Sequence, residues 1–141
     1  MVDREALTQR IQKLQEYVKI LKEIQKESRN QFLEDYHVYG LAERYLQLAI
    51  ECLLDIGNIL IVEYGFKKPS IKQEIIEILE DEEVLPSDFT HRLAGIAGFR
   101  NLLIHDYVRI DRQRVYEYLQ KNLGQFDNYL RYIKNYVRKN P

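Results

Sequence analysis

RYLQLAIECLLDIGNILI, running from Arg44 to Ile61, is the stretch that decides the fold. Its apolar residues return at three- and four-residue steps, the period of an α-helix. Leu41, Tyr45, Leu48, Cys52 and Ile56, with Ile59 and Leu60, form the main stripe. Leu46, Ala49, Leu53 and Leu54 broaden it until most of the circumference is apolar. A helix of that kind belongs at the centre of a bundle, because no single neighbour can cover it. Helical character begins near Phe32 and is strongly apolar from Leu41 to Glu63, and Gly65 supplies the stop.

Working outward, the flanks read as helices that could supply the cover. Leu7, Ile11, Leu14, Val18 and Leu21, extended by Gln25, predict a long amphipathic helix over about 4–29. GFKKPS after the central helix is a loop, and Ser70 with Gln73 resembles a capping box opening a short acidic helix to about Glu82. Pro86, Ser87 and Asp88 mark a break before a fourth helix from Phe89 to Ile104. Leu93, Ile96, Ala97 and Leu103 are its expected contacts, and Gly95 and Gly98 within it ask for a close helix crossing. Asp111 caps a last long helix lined by Val115, Leu119, Leu123, Phe126, Leu130, Ile133 and Val137, with Tyr129 and Tyr132 beside them. No alternating strand pattern, repeat or low-complexity tract competes with this. The expected fold is an all-α, up-and-down helical bundle with one or two short extra helices, in one domain spanning 1–141.

Composition bounds the function. At 141 residues the chain can bury roughly two-thirds of its extended surface without a disulfide or metal staple. The single cysteine, Cys52, excludes an internal disulfide and a multi-thiolate zinc cluster, and reads as a core residue. No uninterrupted apolar run approaches roughly 18 residues, and the N-terminus MVDREALTQR does not resemble a signal peptide. A soluble cytoplasmic protein with no membrane partner is expected. The formal net charge is −1, yet residues 71–90 hold one Lys against seven Asp or Glu. Residues 109–141 hold eight Arg or Lys against three acids. The basic third suits phosphate or an acidic protein surface; its plainer reading is a solvated helical face. Eleven tyrosines stand against no tryptophan. Tyr17 and Tyr45 lie on or beside apolar stripes, and Tyr116, Tyr118, Tyr129, Tyr132 and Tyr136 belong to the last helix.

His37, His91 and His105 are scattered and lack the spacing of a metal site. Neither is there a glycine-rich phosphate loop, since Gly95 and Gly98 lack the following Lys-Ser/Thr. GFRNLLIHDY, from Gly98 to Tyr107, is different: it gathers Arg100, Asn101, His105, Asp106 and Tyr107 at the end of an apolar helix. An arginine offers a planar fork to phosphate, and a histidine exchanges protons near neutrality. Together they can do metal-free phosphodiester chemistry on RNA, in which the 2′-hydroxyl attacks its own adjacent phosphorus. Arg100 and His105 are five residues apart, about 140° around a regular helix, so they do not share a face. Either the helix ends before His105, or the site is assembled across two copies related by a twofold axis. The plain alternative is an Arg–Asp surface pair with a histidine that satisfies a terminal helix carbonyl.

At these residues the chain resembles the HEPN domain family, specifically its HepT-like toxins. The signature is Arg, four residues, His, one residue, Tyr, standing intact as Arg100, His105 and Tyr107, with the customary polar residue, Asn101, after the Arg. The lead-in GIAGF and the segment from Arg44 to Ile61 are also similar, so the resemblance covers the whole chain. It implies a homodimer of helical bundles and a ribonuclease that needs no metal or other cofactor. By carry-over Arg100 and His105 would be catalytic, with Asn101, Asp106 and Tyr107 binding substrate or shaping the site. The implied partner, besides RNA, is an MNT-type nucleotidyltransferase antitoxin that silences the toxin by moving AMP from ATP onto Tyr107. That modification would add bulk and negative charge where a substrate phosphate must sit.

Three readings therefore stand side by side: an endoribonuclease toxin, a catalytically inert module that docks a nucleotidyltransferase, and a structural dimer whose polar cluster only caps a helix. The acidic 71–90 segment and the basic C-terminal third would serve as docking surfaces in the second.

Overall fold

The computed structural model describes residues 4–105 and 111–141, and at positions 102, 104 and 105 the backbone alone. Among the described residues there are eight helices and no strand. The central one is α3 (Tyr36–Tyr64), whose N-terminus is capped by Asp35 accepting from the His37 N–H at 2.9 Å. It ends where Gly65 turns left-handed (φ 68°), and the Phe66 N–H then reaches back to the Ile61 carbonyl at 2.9 Å.

Leu46, Ala49, Ile50, Leu53, Leu54, Ile56 and Leu60 of α3 are essentially inaccessible. They include all four residues expected to broaden the stripe, Ile56 and Leu60 of the stripe itself, and Ile50; Cys52 of the stripe is buried as well. Leu41 is half exposed, against expectation, and Leu48 and Ile59 are only partly buried. By length and composition α3 is apolar enough to cross a membrane. Glu51 and Asp55 keep it from being an uninterrupted apolar run, as expected, without lowering its average much. In the bundle, over half of that apolar window is buried by neighbouring helices.

The cover comes from both ends of the chain. α1 (Arg4–Ile24) runs antiparallel to α3, since Arg10 reaches Asp55 while Tyr17 meets the Tyr45 ring. It buries Leu7, Leu14, Val18 and Leu21, as its periodicity predicts. α8 (Gly124–Lys139) runs antiparallel to α1 and parallel to α3: Lys22 pairs with Asp127 at 2.9 Å, and Tyr64 packs on Tyr136. The up-and-down arrangement of the three longest helices follows from these contacts.

The shorter elements depart from the sequence reading at their boundaries. α1 stops at Ile24, and Ser28 caps a separate short helix, α2 (Arg29–Glu34), by accepting from the Gln31 N–H. α4 (Glu74–Asp81) is not opened by a Ser70–Gln73 box; the Glu74 carboxylate reaches back to the N–H groups of Ser70 and Ile71. The expected fourth helix is two, α5 (Ser87–Leu93) and α6 (Ile96–His105), parted where Gly95 takes φ 86°. No described residue lies within 4 Å of a Cβ placed on Gly95 or Gly98, so neither marks a helix crossing. The last helix is likewise divided into α7 (Arg112–Lys121), capped by Asp111 as expected, and α8. Among the described residues, three helices, α2, α4 and α5, have eight residues or fewer, where one or two short extras were expected.

The close approach lies instead at Gly57 of α3. A Cβ there would stand 2.6 Å from Ile75 Cγ2 and 2.9 Å from the Tyr129 hydroxyl, which donates to the Leu53 carbonyl at 2.8 Å. Helix propensity alone predicts that Gly→Ala stabilises any helix interior. Gly57→Ala is expected to do the opposite, losing about 1–3 kcal/mol through overpacking. Gly40→Ala, in the same helix with nothing within 4 Å, is expected to gain about 0.5–1 kcal/mol. Urea melts of the two variants check the opposite signs.

Candidate active site

α6 carries the residues of interest. Ile96, Ala97, Phe99 and Leu103 hold it against the bundle, each less than a tenth exposed. Arg100 lies one turn after Ile96 and so falls on an inward-facing side of α6. Its side chain is only 16% exposed, and a guanidinium so enclosed needs a carboxylate.

Glu51 of α3 provides it: Arg100 Nη2 donates to Glu51 Oε1 at 3.0 Å. Asn101, the polar residue after the arginine, accepts from Nη1 at 2.9 Å. Gln47, one turn before Glu51, donates to the same Oε1 at 3.3 Å. The Arg100 Nε–H is buried without an acceptor. One turn beyond Glu51 stands Asp55, whose carboxyl burial pushes up, with Arg10, Lys72 and Arg100 pulling the other way. Arg100 is thus a mostly buried arginine tied to a glutamate rather than a surface one; Asp106, the aspartate of the surface pair entertained from sequence, lies outside the described residues.

Arg100 and Asn101 of the predicted set are thus brought together. α6 continues through His105, so Arg100 and His105 ride on one unbroken helix, about 140° apart. Of the two arrangements left open by the spacing, the helix does not end before His105. The His105 side chain is not described, and Asp106 and Tyr107 lie outside the described residues. Gln47 and Glu51 were not anticipated. Their signal was present, since Gln47, Glu51 and Asp55 are a polar i, i+4, i+8 line on an otherwise apolar helix.

The basic C-terminal third is partly engaged. Arg112 stacks over the Tyr39 ring at 3.9 Å, and Arg114 lies over Phe99, which itself stacks on Tyr118. Arg92, Arg114 and Lys121 ring a cleft of about 280 Å³ beside this stack, behind the helix that carries Arg100. Burial pushes the Tyr118 and Tyr129 hydroxyls far above the ordinary phenol range, so both act as neutral packing groups. No group of three or more His, Cys, Asp or Glu among the described residues is placed to hold a metal.

Comparison with known proteins adds to this geometry. Residues 14–133 match the family model described as Ribonuclease HepT-like. The chain is 26% identical over 128 residues to the tRNA nuclease HepT of Aphanizomenon flos-aquae, covering 91% of this chain and 87% of that protein. It is 23% identical over 105 residues to the mRNA nuclease HepT of Shewanella oneidensis, covering 74% and 79% respectively. Its fold is similar to that of a tri-AMPylated Shewanella oneidensis HEPN toxin solved in complex with MNT antitoxin. That likeness has a TM-score of 0.85 at 21% identity and covers 96% of this chain and 99% of that one.

Cys52 sits beside this polar line, buried, its thiol pushed up by burial and by the neighbouring Asp55 carboxylate. A raised thiol pKa leaves less reactive thiolate near neutral pH. Labelling by an aromatic disulfide reagent at pH 8 is expected to be at least about a hundredfold slower in the native protein than in denaturant. Equal rates would place Cys52 outside the core.

Proposed function

Because the chain belongs to the ribonuclease HepT-like family, we propose that it is a metal-independent endoribonuclease toxin, neutralised by an MNT-type nucleotidyltransferase antitoxin. The observation that carries this reading is Arg100. It heads the Arg100–His105–Tyr107 motif inside the matched segment, and its guanidinium is braced by a carboxylate and an amide rather than loose on the surface. We read the whole 1–141 chain as one HEPN-like domain acting in the cytoplasm as a homodimer.

The chemistry follows from the side chains. His105 removes the proton of a ribose 2′-hydroxyl, and the 2′-oxygen attacks the adjacent phosphorus. Negative charge grows on the non-bridging oxygens, which Arg100 stabilises. The 5′-oxygen leaves with a proton, giving a 2′,3′-cyclic phosphate and a 5′-hydroxyl end. One histidine serves poorly as base and acid on opposite sides of one phosphorus, whereas a twofold axis supplies a second His105 and a second Arg100. The 140° separation of the two residues on α6 is in keeping with such a shared groove. Asn101 shapes the site through its bond to Arg100, and Asp106 and Tyr107 complete it. DNA lacks the attacking hydroxyl, so the activity is RNA-specific.

Silencing acts on Tyr107. Its phenolic oxygen attacks the α-phosphorus of ATP held by the antitoxin, an O–P bond forms, and pyrophosphate leaves. The resulting phosphodiester sets a bulky anion beside Arg100 and His105, where the RNA phosphate has to bind.

Purified protein is expected to cut RNA in EDTA and to leave cyclic phosphate ends. His105→Ala should lower the rate about 10²–10⁴-fold with the helical circular dichroism unchanged. Arg100→Ala also strands Glu51, so Arg100→Lys is the better partner: it keeps the charge, loses the fork, and is expected to be strongly impaired. Undiminished cutting by both His105→Ala and Arg100→Lys overturns the assignment. Co-expression with the antitoxin should add about 329 Da per AMP group to wild type and nothing to Tyr107→Phe. Tight association without any RNA cutting or growth arrest would instead identify an inert docking module.

A further inference from the structure

Arg100 is held by groups from two helices, and one of them has no assigned role in the motif. Glu51 comes from α3, whose flanking residues Ile50, Leu53 and Leu54 are fully buried, so its backbone cannot shift without disturbing the core. Gln47 donates to Glu51 Oε1, and the same oxygen accepts from Arg100 Nη2. Asn101 takes Nη1. The result is a chain of four side chains, Gln47–Glu51–Arg100–Asn101, that clamps the guanidinium at both outer nitrogens.

The clamp costs something, because the guanidinium lies with its Nε–H buried and unpaired. A buried donor without an acceptor is uncommon and unfavourable. The orientation is therefore imposed by Glu51 and Asn101 rather than chosen to satisfy the arginine. With one N–H of each terminal nitrogen engaged and the Nε–H buried, the second N–H on each of Nη1 and Nη2 is left for a phosphate oxygen without Glu51 being released.

We propose that Glu51 is a positioning residue for Arg100: through the bond to Nη2 it fixes the guanidinium in the orientation that meets the scissile phosphate. Its consequence for catalysis rests on the ribonuclease reading above, whereas the orientation itself is measurable without RNA. Positioning and simple charge balance make opposite demands. Glu51→Gln keeps the length and an acceptor oxygen while losing the charge. Glu51→Asp keeps the charge and draws the oxygens back by one methylene.

The test combines two measurements on the full-length protein. In ¹⁵N-labelled protein the Arg100 Nε–Hε signal is assigned by its absence from Arg100→Lys. It is expected to be dispersed and slow to exchange in wild type, retained in Glu51→Gln, and merged with exposed arginines in Glu51→Asp. In RNA cleavage with EDTA, Glu51→Asp is expected to lose about a hundredfold in kcat with KM little changed, as a misplaced catalytic group does. Glu51→Gln should stay within about tenfold of wild type. The proposal is overturned if the Arg100 signal is the same in Glu51→Asp as in wild type. It is equally overturned if Glu51→Asp cuts normally while Glu51→Gln does not, since charge would then be the whole role. A wild-type protein that cuts no RNA would remove the ribonuclease reading, and the Arg100 signal would still decide whether Glu51 fixes the arginine.

Discussion

Everything in this structure depends on burying α3. Twenty-nine residues of mostly apolar helix cannot be covered by one neighbour, so α1, α2, α4, α6 and α7 are all drawn onto it, and α8 reaches it through Tyr129. Gly57 lets that cover close tightly on one side, where Ile75, Leu79 and the Tyr129 hydroxyl approach the helix backbone. On another side α6 lies against α3 and brings Arg100 to Glu51. The candidate catalytic arginine is thus placed by the same packing that closes the bundle.

Sequence periodicity carried the fold a long way. Every residue of the stripe from Val115 to Val137 is buried, and Gly65 and Asp111 act as the terminators they resemble. The breaks were harder to see. The stripe passes through Leu119, Leu123 and Phe126 in unbroken steps, so the switch from α7 to α8 at Asn122–Leu123 leaves no gap in the pattern. Gly95 was legible as a helix misfit, but its remedy was not. The chain leaves the helix with a positive φ instead of admitting a close neighbour. Leu41 misled because periodicity identifies a face and not which neighbour reaches it: Ala42 and Leu46 beside it are fully buried, while Leu41 itself stays half exposed.

The site was legible in halves. The spacing of Arg100, His105 and Tyr107 is a local feature, and a local reading finds it. Glu51 lies 49 positions away on another helix, and only the packing of α6 on α3 makes it a partner. A polar line inside an apolar helix signals that something charged must come to meet it. It does not say from where. The same reasoning applies to Arg112 and Arg114, which composition assigned to a basic surface and which lie over aromatic rings.

The closing of the bundle by α8 has a consequence in time. Lys22 pairs with Asp127, Gln25 with the Leu119 carbonyl, and Tyr64 with the Asn140 carbonyl, so α1 and α3 are held by elements 76 to 105 positions further along the chain. A chain emerging from the ribosome presents α1 and α3 with one flank of their apolar surface bare until α8 has followed them. Contacts of such long sequence separation form late. The flank that α8 covers is therefore the last part of the core to be shielded from water, after the helices that carry Arg100 and Glu51 are already made.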